Sequence, residues 1–154
     1  MPLRRDIPLF QLATEDGHER GTRKAWQRRE MVVALLHANC EDCQRLHAEL
    51  EALAPGWHQE EVEAFTVMMP GQPGEPVLPG ALKDDEQGTV TWKLSECFAR
   101  VPGTAVVAVA NRFGELYGVV DVHGQPTAQV LAEALEWLDL AQRQCGECSA
   151  PLWE

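Results

Sequence analysis

Six consecutive apolar residues, Met31 to Leu36, lead within three positions into Cys40-Glu41-Asp42-Cys43, and a helical pattern starts directly behind them. A run of valine and leucine with no polar alternation suits a strand covered on both faces. After the first cysteine, Cys43, Leu46, Leu50 and Leu53 recur at helical spacing, and Pro55-Gly56 is expected to end the pattern. Val62 to Met68 then reads as a second strand, so strand, helix and strand form a parallel unit with a right-handed crossover. A layered α/β domain follows from this succession.

The remaining segments fit around that unit. Ile7 to Leu12 alternates weakly and stops at Asp16-Gly17, the pattern of a short edge strand and a turn. His18 to Glu30 is polar and is expected to loop over the surface. Pro70 to Gly80 is too rich in proline and glycine for regular structure, and it lacks the lysine and hydroxyl residue of a phosphate-cradling loop. Thr89 to Ala99 reads as a short helix. Two strand-like runs flank Asn111 to Gly114, which is a hairpin signal. Thr127 to Arg143 places Val130, Leu131, Ala134, Leu135, Leu138 and Ala141 on one side and forms the closing helix, with Gly146 as its expected stop.

Length and charge narrow the classes. With 154 residues the chain supports one core, so residues 1–154 are read as one domain, with the core at about 30–143 and a tail at 144–154. The formal net charge of -11 repels phosphate backbones, and no basic stripe with interleaved aromatics is read to offset it. No nucleic-acid partner is expected. The first twenty residues lack a continuous apolar segment, and no uncharged run is long enough to cross a bilayer. No membrane partner and a cytoplasmic location are therefore expected. Five cysteines are too few and too unevenly spaced for a disulfide-stapled secreted scaffold.

The order of elements and three motifs resemble the thioredoxin superfamily, and within it the redoxin branch of thiol reductants and peroxiredoxins. The motifs are PLFQLATEDG ahead of the core, ANCEDC at the end of the buried strand, and VPGT opening a hairpin whose turn contains NRFG. They span most of the chain. The resemblance implies a thioredoxin fold: a central mixed β-sheet flanked by helices, with an amino-terminal redoxin-like extension. It also implies that Pro102 is cis and, with Val101, shapes a substrate groove beside the cysteine pair.

Several positions depart from that pattern. Asn39 stands where an aromatic residue usually precedes the first cysteine, and Glu41-Asp42 replaces Gly-Pro or Pro-Pro. Ala34 occupies the place of the acidic residue buried beneath the dithiol, which removes a proton acceptor. Val33 and His37 stand where the peroxiredoxin pattern needs proline and a hydroxyl residue.

A Cys-x-x-Cys pair at a helix start can exchange disulfides, because two intervening residues let both sulfurs meet across the first turn. The positive helix end is expected to lower the Cys40 pKa below about 8.5, making it the nucleophile. Cys43, one turn inside on the apolar face, is the expected resolving thiol. Glu41 and Asp42 favour the helix dipole but repel a thiolate. They point to a reductant nearer roughly -270 mV than roughly -120 mV.

His37 just before the dithiol and His47 one turn beyond Cys43 are both candidates for proton transfer. Spacing directs His37 out of the strand end and His47 to the solvated side of the helix. Cys97 beside Phe98 reads as a small buried hydrophobe.

Cys145 and Cys148 form a second pair after the closing helix. They suggest an auxiliary dithiol, half of a metal site between molecules, or an inert pair, with Leu152-Trp153 docking the tail. About a hundred residues separate the two pairs, against about 15 to 20 in a zinc ribbon, so no single-chain metal site joining all four sulfurs is expected.

The expected activity is thiol-disulfide exchange through the dithiol, with no cofactor. The expected partners are protein or small-molecule disulfides and an upstream thiol reductant. The alternatives are a thiol peroxidase using Cys40 and a non-catalytic redox sensor or metal-binding adaptor.

Overall fold

A computed structural model describes residues 5–71 and 78–148, with the backbone alone for 144–148. The strands are β1 (Leu12–Thr14), β2 (Glu19–Arg20), β3 (Glu30–Leu36), β4 (Val62–Met68), β5 (Leu82–Lys83), β6 (Val106–Ala110) and β7 (Leu116–Asp121). They build one mixed sheet among the described residues, in the order β2-β1-β5-β4-β3-β6-β7. The apolar run of β3 pairs in parallel with β4 and antiparallel with β6, and every one of its residues is buried. That is why its sequence shows no alternation.

Four helices accompany the sheet among the described residues: α1 (Thr22–Ala25), α2 (Glu41–Gln59), α3 (Thr89–Cys97) and α4 (Thr127–Cys148). Helix α2 packs on β4 through Cys43, Leu46 and Leu50, and α4 packs on β6 and β7 and touches α2. Seven residues of β3 at about 3.3 Å each put its two ends about 20 Å apart, with the dithiol beyond the carboxyl end. The hairpin around Asn111 to Gly114 stands at the opposite end, because β6 is antiparallel to β3 and its first residue, Val106, lies beside Leu35.

Several boundaries differ from the sequence expectation. The strand expected over Ile7 to Leu12 begins at Leu12, after that segment has given its amides elsewhere, and it is not an edge strand, because β2 pairs with its outer side. Ile7 N–H donates to Gly114 O at 2.7 Å, and Phe10 N–H to Thr22 Oγ1 at 3.0 Å. The polar stretch from His18 to Glu30 contains β2 and α1, held by burial of Thr22 and Ala25. Helix α2 continues through Pro55 to Gln59, because Trp57 beyond the proline is buried. An interior proline costs about 3 kcal/mol, and burying a large aromatic offsets much of it. The two-residue β5 follows the Pro/Gly-rich stretch, of which residues 72–77 lie outside the described ones. Helix α4 runs past Gly146 to Cys148, since glycine weakens a helix without stopping it.

Gly21 marks a close backbone approach. A Cβ there would stand 2.0 Å from Phe10 O and 2.9 Å from the Gln11 Cα. Backbone atoms yield less readily than the end of a side chain. Gly21→Ala is expected to destabilise the fold by about 3 kcal/mol, measured as a lowered urea midpoint with unchanged slope.

Candidate active site

Cys40 is the N-cap of α2, in extended conformation, and its Sγ accepts the Cys43 N–H at 3.4 Å. The first turn thereby satisfies one orphan amide with a sulfur. Cys40 is partly exposed and Cys43 fully buried, both as free thiols. Burial pushes the Cys43 thiol up to about 12; the His37 backbone N–H opposes this, while Cys40 and Asp42 add to it. At neutral pH Cys43 is therefore a protonated thiol, and the accessible sulfur of the pair is Cys40. The assignment of attacking and resolving roles rests on this difference.

The third member of the cluster is His123, which sequence reasoning missed. Its Nε2 lies 3.9 Å from Cys40 Sγ, and its Nδ1 lies 3.8 Å from Asp42 Oδ2. Donor atoms of Cys40, Cys43 and His123 all fall within 4.8 Å of one another. A usable signal was present: β7 returns toward the dithiol, and His123 stands two residues past its last residue, Asp121. Asp42 and Glu41 also pair with Arg45, at 3.5 Å and 2.8 Å. Their repulsion of a Cys40 thiolate is correspondingly offset.

The other expected residues are placed differently. His37 lies at the strand end as expected, and its Nε2 contacts Gly103 O at 2.6 Å, which ties the Val101-Pro102-Gly103-Thr104 loop to the dithiol end. The expected cis bond before Pro102 is absent: the described peptide bonds are all trans. Pro102 instead holds the second position of a turn closed by Thr104 N–H donating to Val101 O at 3.1 Å, with Gly103 at φ 98° in the third. That is the type II form, which proline and glycine favour in this order with trans bonds. Val101 is 75 % exposed.

His47 is buried, against the expectation of a solvated position. Its Nδ1 meets Thr66 Oγ1 at 2.8 Å and its Nε2 meets Pro79 O at 2.5 Å. Both ring nitrogens are engaged, so His47 is a packing residue of α2 on β4. Cys97 donates to Asp6 O at 3.5 Å, and Asp6 bridges to Glu115 beyond the hairpin turn, so this thiol does not join the cluster. Cys145 and Cys148 ride on the last turns of α4, and their side chains and residues 149–154 lie outside the described ones.

No family model and no curated protein matches the chain. Solved structures do match. A thiol:disulfide interchange protein of the thioredoxin family from Chlorobium tepidum superposes at TM-score 0.63 with 14% identity, over 92% of this chain and 97% of that one. The chain has the thioredoxin fold. Peroxidoxin BcpB from Mycobacterium tuberculosis matches this fold at TM-score 0.68 with 14% identity, over 91% and 97% of the two chains. A SCO1/SenC family lipoprotein from Bacillus anthracis matches at TM-score 0.57 with 14% identity, over 88% and 96%. In this thioredoxin fold Cys40 and Cys43 occupy the junction of a central strand and its following helix.

The raised Cys43 pKa has a consequence for stability. The unfolded thiol ionises near its ordinary 9.0, while the folded thiol keeps its proton to about 12. Between those values the unfolded chain has lost a proton that the folded chain retains, so stability falls as pH rises. Urea melts across about pH 8 to 11 should show this fall, and Cys43→Ala should flatten it.

Proposed function

We propose that the protein reduces or exchanges disulfides through Cys40 and Cys43, with His123 as the proton carrier. The observation that carries this reading is the half-exposed N-cap thiol joined to a fully buried thiol one turn inside. His123 supplies the acceptor that Ala34 does not.

The cycle balances in two steps. His123 Nε2 takes the Cys40 proton, and the thiolate attacks one sulfur of the substrate disulfide. The mixed disulfide forms, and the first leaving thiolate receives the proton from His123. His123 then takes the Cys43 proton, Cys43 attacks Cys40 Sγ, and the second substrate thiol leaves with that proton. The substrate disulfide is reduced, and Cys40–Cys43 is oxidised. Asp42 orients the ring by facing Nδ1, which leaves the Nε2 lone pair toward sulfur. Exposed Val101 and Pro102 form the rim against which an extended substrate chain rests. Renewal of the dithiol calls for an upstream thiol reductant.

A dithiothreitol-driven insulin-reduction assay run beside a peroxide-consumption assay tests this. Insulin reduction above the uncatalysed rate with no peroxide consumption is expected, and the reverse would assign Cys40 a peroxidatic role. One observation favours a second reading, in which the same three donors hold a soft cation. Two sulfurs and an imidazole nitrogen within 4.8 Å suit such an ion. Metal analysis of protein purified with protected thiols separates the readings. One equivalent of tightly held metal, lost in His123→Ala, would replace the exchange reading.

A further inference from the structure

The chain's cations are not spread evenly. Five of its thirteen lysine and arginine residues fall between Arg20 and Arg29, and none of its twenty-four acidic residues does. Arg20 and Arg29 direct their charge at Glu63, and nearby Arg112 is held by buried Glu30. Arg23, Lys24 and Arg28 are exposed and make no ion pair with any described residue. With Trp26 and Gln27 they line an open hollow of about 460 Å³.

Apolar side chains stand beside these cations. Leu9, Trp26 and Phe113 are 42%, 41% and 49% exposed. Hydrogen bonds tie their three segments into one surface. Trp26 Nε1 donates to Phe113 O at 3.1 Å, Thr22 Oγ1 to Pro8 O at 2.8 Å, and Ile7 N to Gly114 O at 2.7 Å. The surface lies where β3 begins, about 20 Å along that strand from the dithiol.

Against the sequence expectation of no basic stripe and no membrane partner, we infer that this pole seats the protein on an anionic phospholipid surface. Tryptophan and phenylalanine favour the headgroup boundary, and free arginine and lysine reach lipid phosphates. Leu9 fits the acyl boundary and would serve neither base stacking nor ion pairing with an acidic protein. The acidic remainder of the chain opposes binding in other orientations. In this one Arg23, Lys24 and Arg28 face the lipid phosphates. The dithiol then faces away from the bilayer, open to soluble disulfides. This inference is independent of the exchange reading.

Cosedimentation of the whole chain with phosphatidylcholine vesicles, plain or with about one third phosphatidylserine, tests it. Binding to the anionic vesicles alone is expected. It should weaken at least about tenfold in the Arg23→Gln, Lys24→Gln, Arg28→Gln variant and fade at high salt. That variant should keep the urea midpoint of the unsubstituted chain, which shows it is folded. Equal binding to both vesicle types, or to neither, would overturn the inference. So would retention on immobilised polyglutamate without vesicle binding, which would give the surface to an acidic protein.

Discussion

Cys43→Ser is expected to convert the protein from a turnover catalyst into a trap. Cys40 keeps its place at the N-cap and still attacks a substrate disulfide, but no neighbouring thiol releases the product. Mixed disulfides should accumulate to near stoichiometry on Cys40, seen as a mass increase that dithiothreitol reverses. Cys40→Ser should accumulate none at the dithiol, as located by peptide mapping, because the remaining thiol of that pair is fully buried and holds its proton to about 12. Similar behaviour of the two variants would contradict the assignment of nucleophile and resolver.

His123→Ala is expected to slow insulin reduction by about 100-fold, the ordinary scale of a positioned acid-base group. The loss should fall on the second step in particular, since the buried Cys43 thiol has no other carrier placed at it in the described cluster. Added imidazole should restore part of the rate in this variant and do nothing for Cys43→Ser. Asp42→Asn should show a smaller loss, because Asp42 orients the ring it faces at 3.8 Å and carries no proton itself. A His123→Ala variant with unchanged turnover would remove the proton-carrier role while leaving the dithiol assignment intact.

Much of this architecture was legible in the sequence because it follows from local rules. Met31 to Leu36 announced a strand covered on both faces, and Cys40 followed by a helical apolar repeat announced where the thiols would stand. The Asn111 to Gly114 hairpin and the helix from Thr127 were readable for the same reason. What escaped depends on tertiary context. Pro55 did not end α2 because Trp57 is buried beyond it, and His47 faced Thr66 because the apolar face of α2 is wider than its leucines suggest. Pro102 took a trans turn because Gly103 follows it and accepts the positive φ. His123 joins Cys40 only through β7, some 80 residues downstream, which pairs with β6 and ends on the dithiol side of the sheet. Arg23, Lys24, Trp26 and Arg28 read as a solvated loop until α1 gathered them on one surface with Phe113.

The tail pair follows from helix length. Helix α4 begins four residues after His123, and at about 1.5 Å per residue Cys145 lies roughly 27 Å along it. A disulfide needs alpha carbons about 4.4 to 6.8 Å apart, so exchange between the pairs is expected between molecules and to depend on protein concentration.

The central claim is that Cys40 and Cys43 are the working dithiol. Peptide mapping of dilute monomer, oxidised stepwise in a glutathione buffer, tests it most directly. A Cys40–Cys43 bridge forming first, within one chain and reversibly, is the predicted result. A first bridge from Cys40 to Cys97, Cys145 or Cys148, with Cys43 still a free thiol, would contradict the account.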